Sequence, residues 1–262
     1  MTTSKMTTPQ GRSIAFRKFV GTHAGPGFLW LSGFKSDMQG GKVLALEAWA
    51  KARGRSFLAF DYSGHGESNG DFAEGTISDW REDTLAVLDQ LADGPQILVG
   101  SSMGGWMALL VAIARPDRVA GMILIAPAPD FTAKLMWPGL STNAKAEIME
   151  AGFHMQSSDY GEPVPITKAL IEDGRQWQLL DAPIPFKGPV RILQGMKDPD
   201  VPWTHAEKLV DGITSSDLVF TLIKDGDHRL SRDQDIERLL STCAEVANGF
   251  YSAASTDVTS GT

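Results

Sequence analysis

The sequence predicts an α/β fold, a mostly parallel sheet covered by helices on both faces. Three observations point to it. Short runs at residues 28–31, 57–61, 97–99, 122–126, 190–193 and 218–223 are rich in Ile, Leu, Val and Phe. Several lack polar alternation, as expected of strands covered on both sides. Helical patterns fill most of the gaps between them, and strands alternating with helices favour a parallel sheet. The chain has 262 residues, 42% hydrophobic and 21% charged, which supports a sizeable core.

The elements follow in order. Residues 1–10 are polar and read as a flexible tail, as do residues 253–262. Residues 13–20 read as an antiparallel edge strand before the parallel series. Residues 41–52 and 77–91 carry apolar side chains at three- and four-residue spacing, the pattern of helices with one buried face. Residues 103–114 are apolar nearly all round, so that helix is expected to be buried. Residues 204–210 and 232–250 read as later helices. The interval 130–189 breaks the rhythm. It contains no convincing sheet strand, and a structureless connection of that length does not suit a compact domain. Helical patterns at 142–151 and 166–180 make it a helical cap inserted between two sheet strands. The expected organisation is one domain over residues 11–252, with the cap at about 130–189.

Composition excludes several classes. There are 24 Lys and Arg against 32 Asp and Glu, a formal charge of −8, which makes the chain a poor candidate for a general phosphate-backbone binder and argues against a nucleic-acid partner. A lone cysteine, Cys243, forbids an intrachain disulfide and a cysteine-based zinc site. No apolar run reaches membrane-spanning length, and the amino terminus has no apolar signal core. These features lead to the expectation of a cytoplasmic protein.

The strongest local signal is Gly100-Ser101-Ser102-Met103-Gly104, directly after an apolar strand and before an apolar helix. Only Ser102 has glycine at both the second preceding and the second following position. A nucleophile on a strained strand-to-helix turn needs small flanks, and the free N–H groups of the helix start face developing negative charge. A serine hydroxyl needs a base. Of five histidines, His228 lies just after the last strand, at the sheet edge where Ser102 also leaves its strand. His205, at the start of an expected exposed helix, is the rival; His65 sits in a glycine-rich turn, His154 in the cap and His23 on the surface. Asp198, leaving the preceding strand in Gly195-Met196-Lys197-Asp198-Pro199-Asp200, is the acid that would orient the imidazole, with Asp200 as alternative and Asp130 less suited. The N–H groups of Met103 and Phe34 are candidate oxyanion donors; Gly33 permits the close turn. The turn 61–68, Asp-Tyr-Ser-Gly-His-Gly-Glu-Ser, reads as structural because the Lys-Ser/Thr ending of a phosphate loop is missing.

With Ser102, Asp198 and His228 in this order, the chain resembles the α/β-hydrolases of the serine-hydrolase type over about residues 13–250. The resemblance is carried by Gly33-Phe34, the 61–68 turn, Gly100-x-Ser102-x-Gly104, Gly195-x-x-Asp198-x-x-Val201 and Gly226-Asp227-His228. Gly40-Gly41-Lys42, residues 60–66, Gly195-Met196-Lys197-Asp198 and Val201-Pro202-Trp203 are similar to the family of mitochondrial acyl-protein thioesterases, also described as mycophenolic acid acyl-glucuronide esterases, and to its bacterial relatives. The resemblance implies an α/β-hydrolase fold and cleavage of carboxylic esters or thioesters through an acyl-enzyme, requiring no metal or organic cofactor. The partner expected is a small-molecule ester or acyl thioester, or an acylated protein. Met136, Trp137, Leu140, Phe153 and Trp177 of the cap are candidates to line an acyl pocket, with cap core as their other reading. A cofactor-free perhydrolase, a C–C bond hydrolase and a non-catalytic small-molecule binder stay open as alternatives.

Overall fold

The computed structural model describes residues 2–158 and 161–256. Eight strands form one sheet in the order β1-β2-β4-β3-β5-β6-β9-β10. They are β1 (Ser4–Thr7), β2 (Ser13–Phe19), β3 (Gly27–Leu31), β4 (Phe57–Phe60), β5 (Gln96–Ser101), β6 (Val119–Ile125), β9 (Val190–Gly195) and β10 (Leu218–Ile223). β1 and β2 pair antiparallel, as do β2 and β4. Every other pairing in this sheet is parallel.

The central strands are apolar throughout because both faces are covered. Leu29, Leu31 and Leu98 join one core with α2 (Ile77–Leu91) and α3 (Met103–Ala114). Phe28, Trp30, Ile97 and Val99 join the other, with α1 (Gly41–Ala52) and the carboxyl-terminal helix (Asp233–Thr256). α3 is buried along nearly its whole length, as its composition requires. α2 begins with a capping box in which Thr76 and Asp79 satisfy each other's backbone N–H groups.

Three expectations change. Residues 4–7 are not a loose tail: they pair with β2 in register from Ser4↔Phe16 to Thr7↔Ser13. The carboxyl-terminal helix runs to Thr256, so the expected 253–262 tail is helical at its start, and residues 257–262 lie outside the described residues. The interval between β6 and β9 is not purely helical. A π-turn (Thr132–Met136) leads into the single turn α4 (Trp137–Gly139) and then α5 (Thr142–Ala151). β7 (Phe153–Ser158) and β8 (Gly161–Thr167) then form a separate antiparallel pair. The helix expected over 166–180 starts only at α6 (Lys168–Gly174), because Thr167 is its N-cap and accepts from the Leu170 N–H. No described helix is long and apolar enough to cross a membrane.

Candidate active site

Ser102 stands between β5 and α3 with φ 55° and ψ −117°, a left-handed conformation unusual for a residue with a side chain. Its glycines are steric requirements. A Cβ at Gly100 would fall 2.3 Å from the Gly104 carbonyl oxygen, and one at Gly104 would fall 2.0 Å from the Leu31 carbonyl oxygen. The backbone itself fills the space that any larger residue would need.

Three side chains from distant parts of the chain meet at this edge. His228 Nε2 lies 3.2 Å from Ser102 Oγ. His228 Nδ1 lies 2.8 Å from Asp198 Oδ2. The carboxylate only accepts, so the proton sits on Nδ1 and the Nε2 lone pair faces the hydroxyl. Asp198 has a fully buried side chain, whereas that of His228 is 16% exposed. Asp198 Oδ1 accepts the N–H groups of Asp200 and Val201 at 2.9 and 2.8 Å, and Oδ2 accepts Gln194 Nε2 at 3.1 Å. Of the rival acids, Asp200 gives this site a backbone N–H, and Asp130 accepts Leu179 and Leu180 N–H in the cap.

Asp198, Asp200 and His228 also bring one donor atom each within 4.8 Å of one another, a spacing a cation could use. The Asp198 oxygens, however, are already filled by three N–H donors and the imidazole. That surrounding suits a carboxylate that orients a histidine better than one that ligates a metal.

The His228 loop is tied down from behind. Leu230 has φ 43°, and its N–H donates to Asp227 Oδ1 at 2.9 Å. Lys42 Nζ donates to the Arg229 carbonyl and, at 3.1 Å, to Ser231 Oγ. Burial pushes this ammonium down to about 8. The loop after β3 sits against the elbow: a Cβ at Gly33 would lie 3.3 Å from both Ser102 Cβ and the Ser101 carbonyl oxygen. Among the described residues, no protein acceptor engages the Phe34 or Met103 N–H. The Phe34 ring packs against Phe72, Trp80 and Phe131 at 4.9, 5.8 and 5.6 Å between centroids.

The other histidines are occupied elsewhere. His205 is buried rather than exposed, and its Nε2 bonds the Pro129 carbonyl at 2.7 Å. His154 pairs with Glu147 on the cap at 2.6 Å, and His23 bonds the Ala24 carbonyl. The cap candidates separate. Trp177 roots the cap, its indole N–H donating to Ser78 Oγ at 2.8 Å while its carbonyl accepts from Trp106. Leu140 is buried in the core shared with α3, and Met136 packs against that core. Trp137 carries Lys145 and Arg175 over its ring at 5.7 and 5.6 Å. Phe153 is 49% exposed on β7. Gln194, a polar side chain buried at the end of an apolar strand, was not singled out by sequence; its position just before Gly195 is the signal that could have found it.

This sheet, with its helices on both faces and the serine turn at the carboxyl edge of β5, defines an α/β hydrolase. Residues 37–155 match the Hydrolase_4 family, described as serine aminopeptidase, S33. The mitochondrial palmitoyl-protein thioesterase ABHD10 of Bos taurus is 39% identical over 241 residues, 91% of this chain and 78% of the relative. Its counterpart in Mus musculus is 40% identical over 232 residues, 88% and 77% of the two chains. Among solved structures, a putative hydrolase from Agrobacterium vitis S4 superposes with a TM-score of 0.90 at 46% identity, covering 94% of this chain and 98% of that one. The mouse alpha/beta hydrolase domain-containing protein 10 gives 0.87 at 37% identity, covering 95% and 100%. The chain belongs to this ABHD10-related family of α/β hydrolases, enzymes of carboxylesterase and thioesterase type.

Proposed function

We propose that the protein hydrolyses carboxylic esters or acyl thioesters with Ser102 as nucleophile, His228 as general base and Asp198 as the orienting acid. The observation that carries the reading is the continuous line of contacts, 3.2 Å from Ser102 Oγ to His228 Nε2 and 2.8 Å from His228 Nδ1 to Asp198 Oδ2. Ser102 Oγ attacks the acyl carbonyl as His228 takes its proton. The Phe34 and Met103 N–H groups bind the oxygen that becomes negative. The imidazolium then protonates the departing alcohol or thiol, leaving an acyl-serine. Water, deprotonated by His228, attacks that ester and releases the acid.

The name palmitoyl-protein thioesterase carried by the mammalian relatives supports long acyl thioesters, including acylated proteins, as the substrates of this chain. The aromatic group of Phe34 and Phe131, with Met136 and Trp137 beyond it, is the apolar wall proposed for the acyl chain. A cytoplasmic location belongs to the same reading, although the mammalian relatives carry mitochondrial names; cell fractionation checks it.

The test is a panel of p-nitrophenyl esters, acyl thioesters and a palmitoylated peptide, run beside a fluorophosphonate probe on wild type and Ser102→Ala. Turnover and labelling that both vanish in the variant are expected. Equal labelling of the two proteins defeats the assignment of the nucleophile.

A further inference from the structure

The turn at residues 61–68 contributes nothing to the contacts among Ser102, His228 and Asp198, yet it grips the loop that carries Phe34. Gly33 O accepts the Ser36 N–H at 3.1 Å, closing a four-residue turn with Lys35 in its third position at φ 58°. That position favours glycine, so a lysine there needs outside support. The support comes from His65. Its Nε2 accepts the Lys35 N–H at 3.2 Å. Its Nδ1 lies 3.2 Å from the Ser63 carbonyl oxygen, which can only accept. The proton therefore sits on Nδ1, and the Nε2 lone pair is committed to the loop.

The imidazole is 4% exposed and is walled by Tyr62, Phe72 and Trp80 at 5.6, 5.0 and 5.2 Å. Phe72 and Trp80 also hold the Phe34 ring, and Lys35 Nζ lies 4.5 Å over Phe72. Burial, reinforced by Lys35 and opposed by Asp37, pushes this histidine down to about 4, so it stays a neutral acceptor at working pH. A second grip lies further along, where Asp61 Oδ1 accepts the Met38 N–H at 2.7 Å. The turn is built for this: a Cβ at Gly66 (φ 48°) would lie 2.1 Å from Asp61 Oδ2.

We propose that His65 is a positioning residue for oxyanion stabilisation: by accepting the Lys35 N–H it fixes the 33–36 turn and so aims the Phe34 N–H at the substrate carbonyl oxygen. The inference rests on the ester-hydrolase reading above and adds to it a group that never touches substrate.

The test uses the full chain. His65→Phe keeps an aromatic ring among Tyr62, Phe72 and Trp80 but removes the acceptor. His65→Gln places an amide at the reach of Nε2. Kinetics on a p-nitrophenyl ester are measured with the affinity for an aryl trifluoromethyl ketone, which forms a tetrahedral adduct on serine. His65→Phe is expected to lower kcat about 30- to 100-fold and to weaken the ketone in parallel, with KM within about threefold of wild type. His65→Gln is expected to stay within about fivefold of wild type. A His65→Phe enzyme with full kcat, a loss carried by KM, or a His65→Gln enzyme as slow as His65→Phe overturns the proposal. Should His65→Phe not fold, the ¹⁵N spectrum of wild type decides: an Nδ1–H tautomer persisting to about pH 5 supports it, and an Nε2–H tautomer overturns it. Absence of ester hydrolysis by wild type, or a fully active Ser102→Ala, defeats the hydrolase reading and this inference with it. An inactive Ser102→Ala beside a fully active His65→Phe defeats this inference alone.

Discussion

The sheet edge that carries Ser102, Asp198 and His228 and the interval between β6 and β9 are held in opposite ways. At the edge, each group is fixed from several sides: Asp198 by three N–H donors, Ser102 by glycines with no spare volume, the Phe34 loop by His65 and Asp61. The cap is fixed at its roots. Asp130 takes the N–H groups of Leu179 and Leu180, Lys134 pairs with Asp181 at 2.7 Å, and Asp173 bonds both the N–H and the hydroxyl of Ser78. Its outer hairpin and helix expose Phe153, Met155 and Met149 by about half. On the proposed mechanism the over-determined edge would set reaction rate, and the cap, rooted but exposed on its outer face, would set which acyl groups enter. Changes in the two regions should therefore fall on different measurements.

The largest effect belongs to the edge. Ser102→Ala should lower kcat on an ester by about 10⁵-fold or more, measured in single-turnover or long-time assays. A loss under tenfold would move the reaction away from this edge. Next is the acid response of the His65 grip. The folded-state value of His65 lies below its unfolded value, so as pH falls from about 6.5 toward 4 the unfolded chain takes up a proton that the folded chain refuses. The stability His65 contributes is present above that window and is lost across it, on the order of 3 kcal/mol in all. Urea unfolding of wild type and His65→Gln at pH 7 and pH 4.5 should show the smaller acid loss in the variant. Equal losses would mean that His65 protonates freely while folded.

The cap root comes third. Asp130→Ala strips the acceptors from two backbone N–H groups and should cost about 2–3 kcal/mol, read as a lower urea midpoint. A midpoint unchanged would mean that the root is held by Lys134, Asp173 and Trp177 without Asp130. The smallest effect is expected on the outer hairpin. Met155→Ser, already 48% exposed, should change stability by less than about 0.5 kcal/mol. A larger loss would mean that this face is packed, and the contrast between the two regions would shrink.

The same contrast explains what the sequence made legible. Strands covered on both faces have to be apolar, so β3, β5, β6 and β9 announce themselves. The serine elbow is visible because close backbone approach leaves only glycine at positions 100 and 104. β1 gave no signal: Ser4, Lys5 and Thr7 are exposed, and backbone pairing to β2 with the half-buried Met6 holds the strand in place. The cap hairpin was hidden in the same way, with Phe153 and Met155 exposed and two prolines in β8. Position in the sequence puts His205 on an exposed helix, but it is turned inward onto the Pro129 carbonyl. Gln194 and His65 act through hydrogen bonds to a few particular atoms, which leave no periodicity to read. Their trace is a polar residue where an apolar one would pack more cheaply.

The cap also separates β6 from β9 along the chain, although Met122 pairs with Val190 in the sheet. Pairing the two strands closes a long excursion, and such non-local contacts carry a loop-closure cost that local ones do not. Asp198 and His228 follow that closure, whereas Ser102 precedes it. A ribosome-bound chain, or a fragment cut within the cap, thus carries the serine without its partners. On the proposed mechanism, ester cleavage begins only after the final two strands dock, so hydrolytic activity itself reports completed assembly.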